Sequence, residues 1–136
     1  MFAVVCVDDR GGMMFNDRRV SRDRVVYSDL ANTFKGKPIY MCEYSRSLFS
    51  GSSAPITVCD GFLEIAGDGD VCFVENRALA PYIDKIEGLV IYRWNRRYPY
   101  DMCLDIDIAD MSFKLLSSKD LVGYSHEKIT KEIYVR

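Results

Sequence analysis

Histidine is almost missing from this chain: among 136 residues there is only His126. Metal centres built from several imidazoles, including the two-metal sites of hydrolytic nucleases, are therefore not expected. No Cys-x-x-Cys pair occurs, which argues against zinc ribbons and thioredoxin-type redox chemistry. No apolar stretch approaches the roughly 20 residues that a membrane-spanning helix needs. Neither charge dominates: the formal net charge is -2, so no broad attraction to nucleic acid or anionic membrane is expected. Repeats, low-complexity runs and linkers are missing. The N-terminus passes straight into a strand-like run and carries Asp8 and Asp9, unlike a signal peptide.

What is present suits a single domain over residues 1–136. The chain is 49% apolar and 28% charged, enough for a core without the composition of a disordered segment. Residues 1–50 carry a formal charge of +2 and the remainder -4, a mild asymmetry. Cys6, Cys42, Cys59, Cys72 and Cys103 are odd in number and widely spaced, and the first four lie in apolar runs. Buried thiols act as small hydrophobes. The expected setting is a reducing, cytoplasmic one rather than a disulfide framework.

Short β-branched runs alternate with helical spacing. Strands are expected at 2–8, 38–41, 55–59, 71–74, 89–94, 102–108, 112–117 and 129–135. The spacing of Val25, Val26, Leu30 and Phe34 predicts a helix over 22–34, with Ser21 as its cap and Lys35-Gly36 at its end. Shorter helical segments are expected at 43–50, 62–66 and 79–86. Residues 13–21 read as an irregular loop whose Met13, Met14 and Phe15 cover the core. This alternation, followed by a run of strands, predicts α/β with a mixed sheet.

The most distinctive cluster is Arg93-Trp94-Asn95-Arg96-Arg97-Tyr98-Pro99-Tyr100. Arginines among aromatics can grip phosphates and stack bases, or anchor a protein partner. The net charge makes nucleic acid the less favoured partner. Arg93, Trp94, Arg96, Arg97 and Tyr98 are the candidate ligand or partner contacts, on a turn expected to be exposed. The bland alternative is a turn whose aromatics cover the sheet edge and whose arginines pair with Asp101 or Glu87. His126 could act as a base, but no Ser/His/Asp spacing is visible, so it reads as a loop histidine. Asp105, Asp107 and Asp110 could bind a hard cation, but a solvated strand edge is the simpler reading. No metal is assigned. Arg18, Arg19, Arg22 and Arg24 gather at the first helix start, where an anion or Asp17 and Asp23 could compensate them.

Four segments, in order, resemble dihydrofolate reductase over nearly the whole chain. These are the opening strand ending in Val7-Asp8-Asp9, then Gly36-Lys37-Pro38-Ile39-Tyr40-Met41. Next come Tyr82-Ile83-Asp84-Lys85-Ile86 leading into Val90-Ile91-Tyr92-Arg93, and the closing strands through Ile133-Tyr134-Val135-Arg136. The resemblance implies that family's mixed sheet flanked by short helices. It also implies several departures. No Pro-Trp loop precedes the first helix, and the catalytic acid's position falls on Val26, with Asp23 the nearest carboxylate. Flanked by Arg22 and Arg24, Asp23 is expected to have a lowered pKa, the wrong direction for protonating a pterin. Cys42-Glu43-Tyr44-Ser45 replaces the phosphate-gripping Gly-Arg-Lys/His-Thr. Glu75-Asn76 replaces the Gly-Gly that lets backbone amides reach a pyrophosphate. Tyr92 replaces the substrate-side Thr.

The chain is also similar to small bacterial proteins that carry a ribonuclease Z label, a chemistry that one histidine does not support. The resemblance implies a non-reductase that keeps the cleft between the first helix and the sheet for another small ligand or a partner, without a cofactor. Two alternatives stand beside it. One is an active NAD(P)H-dependent reductase using NADPH, with Asp23 as acid and Arg18 and Arg19 as phosphate grips. The other is an interaction module, possibly a homodimer, using residues 93–100.

Overall fold

The computed structural model describes residues 1–110 and 112–136. A seven-stranded sheet has the order β5-β4-β6-β1-β7-β10-β9. Its strands are β1 Phe2–Val7, β4 Ile39–Met41, β5 Ile56–Val58, β6 Val71–Phe73, β7 Gly88–Arg93, β9 Lys114–Leu121 and β10 Ile129–Val135. The pairs β4–β5, β4–β6, β1–β6 and β1–β7 are parallel, whereas β10 runs antiparallel to β7 and β9. This is the mixed sheet that the alternation predicts.

Strand alternation divides the core into two. Ala3, Val5 and Val7 of β1 face one way with Cys72, Leu89 and Ile91, under Phe62, Leu63 and Ile86. Val4, Phe73, Val90 and Tyr92 face the other way. There they meet helix α1, Arg24–Thr33, through Val26, Tyr27 and Leu30. Those residues recur at helical spacing, so one stripe of α1 covers the sheet. A one-turn helix α2 spans Phe62–Ile65, and 3-10 segments span Glu43–Phe49, Ala80–Lys85 and Ile108–Asp110.

Three expectations change. Residues 13–21 are not an irregular loop. Strand β2, Gly12–Phe15, pairs with β3, Arg18–Arg19, and with β8, Met102–Cys103, in a second small sheet. Asn16 and Asp17 both have positive φ, 49° and 60°. These are the angles of a two-residue hairpin turn whose twist suits the flanking strands. The cap of α1 is Asp23 rather than Ser21, because its side chain accepts from the Val25 amide at 3.0 Å. Finally, 102–108 is not one strand. Asp105 accepts from the Leu79 and Ala80 amides at 2.8 and 3.0 Å, and Asp107 accepts from the Ala109 amide. These carboxylates organise turns, and a shared strand face does not exist.

No helix is long and apolar enough to cross a membrane among the described residues.

Candidate functional site

The C-terminal ends of the central strands β1, β6 and β7 lie together at one end of the sheet, the usual ligand position in α/β folds. Here that end is filled by side chains. Glu75, two residues past β6, accepts from Arg19 Nε at 2.7 Å and Nη2 at 3.0 Å. It also accepts from the Ser45 hydroxyl at 2.7 Å. Arg19 further donates to the Tyr44 carbonyl at 3.2 Å and lies over the Tyr44 ring at 4.4 Å. Both charged side chains are largely buried. A fork-to-fork pair with a hydroxyl on the carboxylate compensates much of the desolvation. The space left among Cys6, Met13, Arg19, Ser21, Val74, Glu75 and Trp94 is about 10 Å³, room for one water-sized probe. The space between the C-terminal ends of these strands and β2–β3 is therefore nearly closed. Burial pushes the Cys6 thiol well up, and the Glu75 charge adds to it, so Cys6 stays protonated and poorly nucleophilic.

Beside this plug, residues far apart in the chain form a second buried network. His126 Nδ1 lies 2.9 Å from Asp23 Oδ2, and His126 Nε2 lies 2.9 Å from Ser21 Oγ. Asp23 is 3% exposed, and so is His126. Besides capping α1, Asp23 accepts from the Tyr124 and Ser125 amides at 3.0 and 2.8 Å. Burial raises its pKa, but the His126 hydrogen bond and the amides of Tyr124, Ser125 and Val25 outweigh burial and hold it well below the ordinary 3.8. The expected direction holds, but its cause is the histidine and the amides rather than the flanking arginines. Trp94 stacks on the imidazole with ring centroids 4.7 Å apart and planes 26° apart. The Tyr98 hydroxyl lies 3.2 Å from both Ser21 Oγ and His126 Nε2.

A groove of about 510 Å³ lies outside the plug and is lined by Phe15, Asn16, Arg18, Arg19, Val20, Tyr98 and Pro99. Buried Asp8, just past β1, ties both walls together. It accepts from the Gly12 amide at 2.7 Å on one side and the Tyr98 amide at 3.0 Å on the other. Burial opposes its ionisation, yet the amides of Tyr98, Gly12 and Arg10 lower its pKa. Arg18 is exposed in the groove, and its side chain makes no hydrogen bond or ion pair among the described residues.

The candidate residues thus scatter into different roles. Arg18 is available to a ligand, whereas Arg19 is taken up by Glu75. Trp94 is the clearest correction: it is 1% exposed, not presented on a turn. It follows Val90 and Tyr92 at the two-residue period of β7 and so points into the α1 side of the core. Its indole Nε1 is buried without a hydrogen-bond partner among the described residues. Arg93 pairs with Glu132 at 2.6 Å, not with Asp101 or Glu87. Arg96 donates to the Ser125 carbonyl at 3.2 Å, and Arg97 is exposed. Tyr98 joins the groove to the histidine network. Tyr92, fully buried, donates to Asp29 at 2.6 Å. From the sequence, His126 reads as a possible base without a Ser/His/Asp spacing, Ser21 as a helix cap and Asp8 as the end of a strand. The only signal was Ser21-x-Asp23 beside a lone histidine, and His126 lies 103 residues beyond Asp23.

Comparison with known proteins agrees with this architecture. No protein-family model matches the chain, and no curated protein does. Among solved structures, the chain is similar to dihydrofolate reductase from Enterococcus faecalis complexed with NADP(H) and RAB-propyl. The TM-score is 0.67 at 10% identity, over 99% of this chain and 95% of that one. The chain has a dihydrofolate-reductase-like fold.

Proposed function

We propose that this protein is a non-reductase on a dihydrofolate-reductase-like scaffold, which binds a small ligand with an apolar body and an anionic end. The observation that carries this reading is the Glu75 carboxylate held by Arg19 and Ser45. It stands where the resemblance places the glycines that approach a dinucleotide pyrophosphate. A buried carboxylate there repels phosphate, and releasing Arg19 to bind one would strand Glu75 without its partner. Asp23 is equally unsuited to the acid role. Its carboxylate is engaged by His126 and by backbone amides, all of which favour the ionised form.

The ligand space is the groove of about 510 Å³ between the β2–β3 hairpin and Tyr98–Pro99. Phe15, Val20, Tyr98 and Pro99 offer apolar surface, and Arg18 offers a charge with no partner among the described residues. Pockets of this size that combine apolar walls with one charged group suit small organic anions. The interaction-module alternative is weakened, because buried Trp94 cannot anchor a partner.

Equilibrium titration with NADPH and dihydrofolate tests the reading, alongside NADPH oxidation measured by absorbance. Neither saturable NADPH binding nor dihydrofolate-dependent oxidation is expected. NADPH binding that weakens in Arg19→Ala would return the reductase alternative to the front.

A further inference from the structure

We propose that Ser21 is a nucleophile and that the chain catalyses acyl transfer from small carboxylic esters to water. The proposal places this chemistry beside the ligand groove and so rests in part on that groove being the binding site.

One assignment of the hydrogen bonds gives the direction that a hydroxyl nucleophile needs. Ionised Asp23 can only accept, which places a His126 proton on Nδ1, and a neutral imidazole then accepts at Nε2. In that state Tyr98, 3.2 Å from both Ser21 Oγ and Nε2, donates to Ser21 Oγ, and Ser21 donates to Nε2. This is the order of roles in a hydroxyl nucleophile, its base and the carboxylate that orients the base. The base is held rigidly. Asp23 is fixed by the amides of Val25, Tyr124 and Ser125, and Trp94 stacks against the imidazole. Gly123 makes room for this arrangement: a Cβ there would stand 2.7 Å from Asp23 Oδ2 and 2.5 Å from the His126 carbonyl oxygen.

Ser21 is half-buried and borders the small space of the plug, whereas its chain neighbour Val20 and its hydrogen-bond partner Tyr98 line the groove. An ester whose anionic end meets Arg18 can lay its carbonyl toward Ser21. Ser21 Oγ bonds to the carbonyl carbon as its proton passes to His126 Nε2. The Tyr98 hydroxyl donates to the developing oxyanion. The carbon–oxygen bond to the alcohol then breaks, and the alcohol leaves with the proton from Nε2. Water attacks the acyl-serine, again giving its proton to Nε2. The carboxylic acid departs, and Ser21 regains its proton. Ester and water become acid and alcohol, with Asp23 ionised throughout.

The test treats the full chain with a small neutral fluorophosphonate, followed by intact mass and peptide mapping. Hydrolysis of p-nitrophenyl acetate and of the p-nitrophenyl monoester of succinate is measured in parallel. One phosphonyl adduct on Ser21 is expected, together with hydrolysis that disappears in Ser21→Ala while the melting temperature is kept. His126→Gln should label at least ~100-fold more slowly. No adduct, an adduct elsewhere, or undiminished hydrolysis by Ser21→Ala overturns the proposal, even if His126→Gln fails to fold. Arg18→Ala separates the two readings. A raised KM for the anionic ester relative to the neutral one supports the groove. Ser21 labelling without that shift leaves the nucleophile standing and removes the groove.

Discussion

The two buried polar networks at one end of the sheet make a useful contrast. Glu75, Arg19 and Ser45 form a closed set: the carboxylate and guanidinium neutralise each other, and the hydroxyl completes the pairing. Asp23, His126, Ser21 and Tyr98 form an open chain that runs from a buried carboxylate to a half-buried hydroxyl beside a groove. A closed set of charges fills space and holds β2–β3 against the sheet. An open chain can pass a proton along its length. The same end of the sheet therefore carries one set whose charges satisfy each other and one that ends in a half-buried hydroxyl.

Breaking the closed set should have the largest effect. Arg19→Ala leaves Glu75 buried without its cation and should cost about 3–5 kcal/mol, read from urea unfolding. Replacing both members with apolar residues, Arg19→Met with Glu75→Leu, should recover most of the loss. If the double variant is no better than the single one, the pair is more than a plug.

Gly123→Ala attacks the open chain through its packing. The new Cβ would lie 2.5 Å from the backbone oxygen of His126, which cannot move as a side-chain tip can. A loss of about 1–3 kcal/mol is expected in the same unfolding assay. A neutral result would mean that the Asp23–His126 contact tolerates displacement.

Acid titration sharpens the contrast further. Asp8 and Asp23 both have pKa values lowered on folding from the ordinary 3.8. Lowered folded values mean that their stabilisation is complete above 3.8 and is lost as pH falls below it. The urea midpoint should drop steeply below about pH 4. Asp23→Asn should flatten part of that drop and cost about 2 kcal/mol at neutral pH, the worth of hydrogen bonds to a charged group. An unchanged slope would show that Asp23 is not the titrating anchor.

Ser21→Ala should be the mildest change. It removes one hydroxyl from the half-buried end of the open chain, at about 1 kcal/mol or less by thermal melting. A loss as large as that for Arg19→Ala would make Ser21 a structural member of the core.

Much of the scaffold was legible because period and chemistry agreed along short stretches. Strand β10, Ile129–Val135, falls where its alternation places it, and helix α1 lies within the predicted 22–34. The hairpin at 12–19 was missed because its turn, Asn16-Asp17, lacks the glycine that usually advertises such angles. Trp94 was misplaced because its arginine neighbours outweighed the alternation Val90, Tyr92, Trp94, which already pointed inward. Glu75 was legible as a substitution at a phosphate position, but its partner was not.

The sequence by itself determined the α/β class, the two-faced strands and the substitutions at the positions where the resemblance places nucleotide contacts. These follow from spacing over two to four residues and from side-chain chemistry. Only the tertiary structure decided that Arg19 closes on Glu75, that Asp8 ties two walls of a groove, and that Ser21, Asp23 and His126 become neighbours. The last of these contacts spans 105 residues. Local propensity carries no information about such a contact. It arises because the β9–β10 hairpin brings the loop before β10 to the N-terminus of α1, where buried donors and acceptors must find one another.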